Sequence, residues 1–104
     1  MAPVRRSSIA EHNLLEIWSY IAKDNLPAAD RWLKTFEKKC ELYAHQPELG
    51  DRRVDLGADV RCFPVGQYVV LYRPRLEGIV VLTVIHGARD IPTIFRRFFD
   101  GDAD

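Results

Sequence analysis

The sequence has no lysine after residue 50, no net charge, only two cysteines and one methionine. Each shortage closes a class of function. Cys40 and Cys62 supply neither the paired spacing of a metal site nor a disulfide framework, so a reduced, cytoplasmic protein is expected, with no metal and no cofactor. The longest strongly apolar stretch, residues 79–85, is seven residues long, against the roughly 18 that a membrane helix needs. The opening Met1-Ala2-Pro3-Val4-Arg5-Arg6 leads into no apolar segment, which argues against a secretory leader. Fifteen basic and fifteen acidic residues cancel, so no global field draws the chain onto nucleic acid. There is no G-x-S-x-G and no glycine-rich phosphate loop, and His12, His45 and His86 are too scattered for a metal cluster.

What is present suffices for one folded domain spanning residues 1–104, since 47% of the residues are hydrophobic. A short strand is expected at residues 4–7. Ser8-Ile9-Ala10-Glu11 has capping-box spacing, and Leu14, Ile17, Trp18 and Ile21 follow at the i, i+3, i+4, i+7 positions of one helix face. Pro27 restarts the pattern, and Ala29, Trp32, Leu33, Phe36, Cys40, Tyr43 and Ala44 continue it for about four turns. The link is short, so the two helices should form an antiparallel hairpin. Residues 46–50 stop the second helix, and a polar stretch runs from Asp51 to Asp59.

From Val60 the period changes. Residues 60–63, 67–73 and 79–85 are rich in β-formers, and short Pro/Gly-containing turns separate them. The expected fold is therefore α+β, in the order β-α-α-β-β-β, an antiparallel sheet packed against the helical hairpin. Residues 79–85 should be the central strand. Residues 91–99 read as a short C-terminal helix, followed by an acidic tail, residues 100–104, that should fray.

After residue 50 every basic residue is an arginine, the planar donor that grips phosphates and carboxylates. Arg61 and Arg89 lie among apolar residues. Ion pairs with Asp55, Asp59 and Asp90 are the alternative use of these arginines. His86-Gly87-Ala88-Arg89-Asp90 directly follows the last strand, where scaffolds present side chains to partners. Either His86 and Arg89 act there, or Gly87 makes a turn and Arg89 pairs with Asp90. Arg61, Tyr72, Arg73 and His86 together would have the chemistry for metal-free phosphodiester cleavage. Tyr72 and Arg73, being adjacent on a strand, point to opposite faces, so one of them must be outside any such site. Trp18, Trp32 and Phe36 are assigned to the hairpin core.

The run from Leu14 to Ala22, Ala28-Ala29, Pro47-Glu48-Leu49-Gly50, Arg53-Val54-Asp55-Leu56, Arg61, Tyr68-Val69-Val70-Leu71-Tyr72-Arg73 and Val84-Ile85-His86-Gly87-Ala88-Arg89-Asp90 resembles, in that order, the ParE-type toxins of the RelE/ParE superfamily. The resemblance covers residues 4–97. It implies the same β-α-α-β-β-β fold and a bacterial type II toxin–antitoxin module. It also implies a cognate antitoxin partner that neutralises the toxin by wrapping it and alone contacts DNA, with no role for a membrane.

The superfamily divides by activity. A ribosome-dependent mRNA endonuclease of RelE type would use Arg61, Arg73 and His86 as catalytic residues. A ParE-type inhibitor of DNA gyrase has no catalytic residues, and Arg61, Arg73, His86 and Arg89 would face the target. The neutral charge favours the gyrase inhibitor, because docking on ribosomal RNA demands a basic surface. A third reading is a non-toxic, antitoxin-binding co-regulator. Leu33, Tyr43, Arg61 and Arg73 are the expected antitoxin contacts.

Overall fold

The computed structural model describes residues 2–99; the acidic tail lies outside the described residues. Strand β1 (Val4–Arg6) leads into helices α1 (Ser8–Asp24) and α2 (Leu26–His45). A single 3₁₀ turn (Pro47–Leu49) precedes strands β2 (Asp51–Arg52), β3 (Arg61–Val65), β4 (Tyr68–Arg75) and β5 (Gly78–His86), and helix α3 (Ile91–Phe99) closes the chain. The α+β class, the helical hairpin and the C-terminal helix are as expected. The two-residue β2 is an addition, made from the polar stretch.

Ser7, rather than Ser8, caps α1: its Oγ accepts the Ala10 N–H, and its own hydroxyl donates to the Leu82 carbonyl. The capping-box spacing points one residue too late because Ser7 must also reach β5. Asn25 serves both helices. Its N–H closes α1 on Ile21, and its side chain accepts the Ala28 N–H to open α2.

The sheet order is β1-β5-β4-β3-β2, with β1 parallel to β5 and every other pair antiparallel. The middle strand is thus β4, not the expected 79–85 run. Strand β5 has β1 beside it only from Ile79 to Val81. Both β3 and β4 run through prolines, Pro64 and Pro74, that would end strands on sequence grounds. Each proline lies where its strand has a neighbour on one side only, and sheet edges tolerate proline.

Both sheet faces are covered. On one, Leu14, Ile17, Phe36 and Cys40 of the hairpin pack on Phe63, Val70, Tyr72, Val81 and Val84. On the other, Ile91, Phe95 and Phe99 of α3 pack on Leu71, Leu82 and Ile85, with Val60 beside them. Burial on two faces explains the almost continuous apolar run of β5. Burial also pushes the Cys40 thiol up to about 12, so it behaves as a small core hydrophobe rather than a nucleophile. Trp18 is only half-buried, its indole N–H donating to Asp30 at 3.1 Å across the hairpin.

The register slips once. Tyr72 pairs with Val81 but Leu71 pairs with Thr83, so Leu82 is an extra residue that bulges out of β5. Strict alternation from Ile79 would place His86 with Val80 on the α3 face. The bulge reverses the phase and turns Val84 and His86 toward the hairpin.

Candidate functional site

Past Val81, β5 has no strand on its outer side, and a groove of about 630 Å³ runs along this edge. Helix α1 forms one wall and α3 the other, while the start of β4 and the end of β5 form the floor. His86 lies at its end, half-buried, with its ring edge-on to Tyr68 at 5.1 Å.

The imidazole is fixed by two contacts. Nδ1 accepts the Ala88 N–H at 3.1 Å, and Nε2 lies 3.3 Å from Gln67 Oε1. An amide N–H only donates, so Nδ1 presents its lone pair and the ring proton sits on Nε2, donating to Gln67. Both ring nitrogens thus have a hydrogen-bond partner within the chain. Beside it, Arg89 is exposed and makes no ion pair among the described residues, and neither does Arg97 on α3. Asp90 does not neutralise Arg89. Its carboxylate accepts from the Thr93 hydroxyl and N–H at the start of α3, and those bonds hold its pKa below the ordinary carboxylate value.

The other expected site residues are elsewhere. Arg61 and Tyr72 share the hairpin face with His86, but Tyr72 lies four residues along β4 from Tyr68, about 14 Å away. Arg61 donates from Nη1 to the carbonyls of Glu48 and Gly50 at 3.0 and 2.8 Å. The Tyr72 hydroxyl donates to the Pro47 carbonyl at 2.6 Å and accepts the Gly50 N–H at 3.1 Å. Together they pin the 3₁₀ turn to the sheet. Gly50 is required there, because a Cβ would run into the Tyr72 hydroxyl and come within 2.9 Å of the Cys62 carbonyl. Tyr72→Phe should therefore cost about 1–3 kcal/mol, the penalty of leaving buried backbone groups unpaired, as read from urea unfolding. An unchanged midpoint would mean that the turn is held without this hydroxyl.

Arg73 points to the α3 face, where Asp59 bridges its Nε and the Arg75 guanidinium at 3.2 and 3.3 Å. The expected antitoxin contacts Leu33 and Tyr43 are partly buried against the hairpin core, and Tyr43 stacks on Phe63 at 4.1 Å. Arg61, Arg73 and His86 are thus not assembled around one point.

Asn13 was not among the candidates. Its Oδ1 accepts both the Thr83 hydroxyl at 2.6 Å and the Val84 N–H at 3.1 Å, filling part of the place of a missing strand. A signal exists in the sequence: Asn13 lies between Ala10 and Ile17 on the buried side of α1, where an amide needs partners. Among the described residues no group of three or more His, Cys, Asp or Glu could hold a metal ion, and no helix is long and apolar enough to cross a membrane.

A family model for the ParE toxin of the type II toxin–antitoxin system, parDE, matches residues 4–91. The chain belongs to the ParE toxin family. No curated protein matches it. Among solved structures, a chain from the "Chromosomal ParDE TA system from P. aeruginosa" matches with a TM-score of 0.67 at 15% identity, over 83% of this chain and 96% of that one. At that identity the likeness shows a shared fold. The ParE family match ends at Ile91, the first residue of α3, so one wall of the groove lies almost wholly beyond it.

Proposed function

We propose that this ParE-family chain poisons DNA gyrase by binding it, and that a cognate antitoxin neutralises it. The observation that carries the reading is how the candidates for phosphodiester chemistry are engaged. His86 has its lone pair on a backbone N–H and its proton on Gln67. Arg61 and Tyr72 hold the 3₁₀ turn, and Arg73 faces away toward Asp59. Acid–base cleavage of RNA needs a free base within reach of the 2′-hydroxyl. A binding toxin needs only accessible groups, which Arg89 and Arg97 provide.

The toxin, freed of antitoxin, is added to purified gyrase with relaxed plasmid and ATP. Supercoiling should stop and linear DNA should accumulate. Arg89→Ala should raise the half-inhibitory concentration about ten- to a hundredfold, the loss expected for one charge-assisted contact. Its side chain is exposed, so the fold should be unaffected. Unimpaired supercoiling by folded protein would overturn the reading and direct attention to ribosome-dependent mRNA cleavage.

A further inference from the structure

We infer that the α3 face of the sheet, at the end of the strands beyond α3, is a binding surface for the phosphate backbone of duplex DNA. The inference goes beyond the proposed gyrase binding and stands without it. The register builds the surface. Arg5 of β1 is opposite Val80 of β5, and Val80 is opposite Arg73 of β4. On the other side, the Val60 carbonyl accepts the Arg53 N–H, which carries the ladder one residue past β2. Arg6 lies over Phe36 on the hairpin face, and Arg52 is paired with Arg61 there, so alternation sends Arg5 and Arg53 to the α3 face with Arg73. Arg5, Arg73 and Arg53 thus form a row across the sheet, each two strand spacings, about 10 Å, from the next. Arg75 lies two residues further along β4, and Arg96 reaches the same surface from α3.

Ion pairs of the fold use only part of these donors. Arg53 holds Asp55 through Nε and Nη2, and Asp59 accepts from Arg73 Nε and Arg75 Nη1. The Nη groups of Arg73 have no acceptor among the described residues, yet they are not sealed from solvent. Its side chain is only 18% exposed, so Asp59 fixes the guanidinium in place while leaving those N–H groups accessible. They open, with Arg96, onto a hollow of about 260 Å³. A second hollow, beside Val80, is lined by Arg5 and Arg75. Arg5 and Arg96 make no ion pair among the described residues. Against the five arginines stand Asp55, Asp59 and, at the β4–β5 turn, Glu77, which leaves two positive charges in excess among the described residues of a chain with no net charge.

Chemistry selects the duplex. A guanidinium grips a phosphate with paired N–H groups, and a row of them on a rigid sheet meets a regular row of phosphates. Single-stranded nucleic acid is held instead by stacking its bases on exposed aromatic rings. The rings at this surface, Phe95 and Phe99, are 2% and 9% exposed, and the large apolar side chains that do emerge, Val54 and Leu76, are aliphatic. Phosphate contacts are therefore offered without a platform for bases. The groove with Arg89 and Arg97 lies toward the opposite end of β4 and β5. A toxin seated on gyrase through that groove would keep the arginine row free for the DNA that the enzyme holds.

The test titrates antitoxin-free toxin into a short fluorescent duplex at low salt. The logarithm of the binding constant should fall against the logarithm of salt concentration with a slope of about −2 to −3, the counter-ions of roughly three phosphates. Replacing Arg5 and Arg96 together by Ala removes two groups that are exposed and in no ion pair among the described residues. Binding should weaken about tenfold and the slope should lessen by about two. Replacing Arg31 and Lys34 together by Ala removes the same charge from the exposed side of α2, across the sheet, and should change neither. The Arg73 Nε–H resonance of the wild type should shift as duplex is added, which decides the matter if circular dichroism shows either variant misfolded. Absence of binding, equal losses from the two double variants, tighter binding of single strands, or equal competition by polyglutamate of matched charge each overturns the surface. Duplex binding of the expected kind with unimpaired gyrase supercoiling establishes the surface and overturns only the gyrase reading.

Discussion

Phe36→Ala is expected to lower the unfolding free energy by about 3–5 kcal/mol, the usual cost of removing a fully buried ring. The ring is 0% exposed, stacks on Trp32 at 5.8 Å and lies under the Arg6 guanidinium at 5.6 Å. It sits midway along α2, where the hairpin meets the sheet. Its loss removes the transfer energy of the ring, leaves a cavity between helix and sheet, and takes away the cation–π contact that helps hold β1. For a domain of about this size each kcal/mol moves Tm by about 4–8 °C, so thermal unfolding should shift down by roughly 12–40 °C. That is a large share of the 5–15 kcal/mol available to a typical domain. Partial unfolding at 37 °C would follow. A change below about 1 kcal/mol would show that the hairpin is anchored elsewhere.

Phe95→Ala should have a comparable local cost, about 3–5 kcal/mol, but a different signature. Helix α3 has nine residues, too few to be stable alone in water. Its helicity depends on docking Ile91, Phe95 and Phe99 against the sheet, with Phe95 and Phe99 stacked at 4.7 Å. Without Phe95 the helix should melt from the sheet while the hairpin core stays folded. The apolar surface of Val60, Leu71, Leu82 and Ile85 would then be exposed. Backbone amides of α3 should exchange orders of magnitude faster than those of α2, and a dye that binds apolar surface should respond. Parallel loss of protection in α2 would show that the two cores unfold as one unit.

The hairpin and α3 are legible in the sequence because a 3.6-residue period with clear stops admits few alternatives: Ala29, Phe36, Cys40 and Ala44 are buried as their spacing requires. The three long strands are legible as runs but not as neighbours. Parallel pairing of β1 with β5 depends on contacts across more than 70 residues, beyond any local pattern. β2 is two residues long and made of Asp51 and Arg52, with no alternation to read.

The site was less legible still. Arg61 suggested phosphate binding, yet its guanidinium serves three-dimensional neighbours, the Glu48 and Gly50 carbonyls, that spacing cannot reveal. Residue type gave the donor but not its recipient. Tyr72 and Arg73 did separate to opposite faces, because strand alternation is local. His86 kept its place at a strand end, but its tautomer depends on Gln67 and Ala88, one of them 19 residues away. Asn13 matters only once α1 lies over β5, so an ordinary amide in a helix acquires its role from the fold.

The bulge at Leu82 ties the facing of the site to how β5 absorbs one extra residue rather than to residue identity. Exchanging Leu82 for another aliphatic residue would keep the count and the arrangement beyond it. Deleting it would remove the need for the bulge and leave Val84 and His86 on the hairpin face opposite Val70 and Tyr68; keeping it while flattening the bulge would instead turn the imidazole under α3 and the Ile85 side chain toward α1. A relative one residue shorter in β5 and free of the bulge thus presents the histidine at its strand end on the same face as His86.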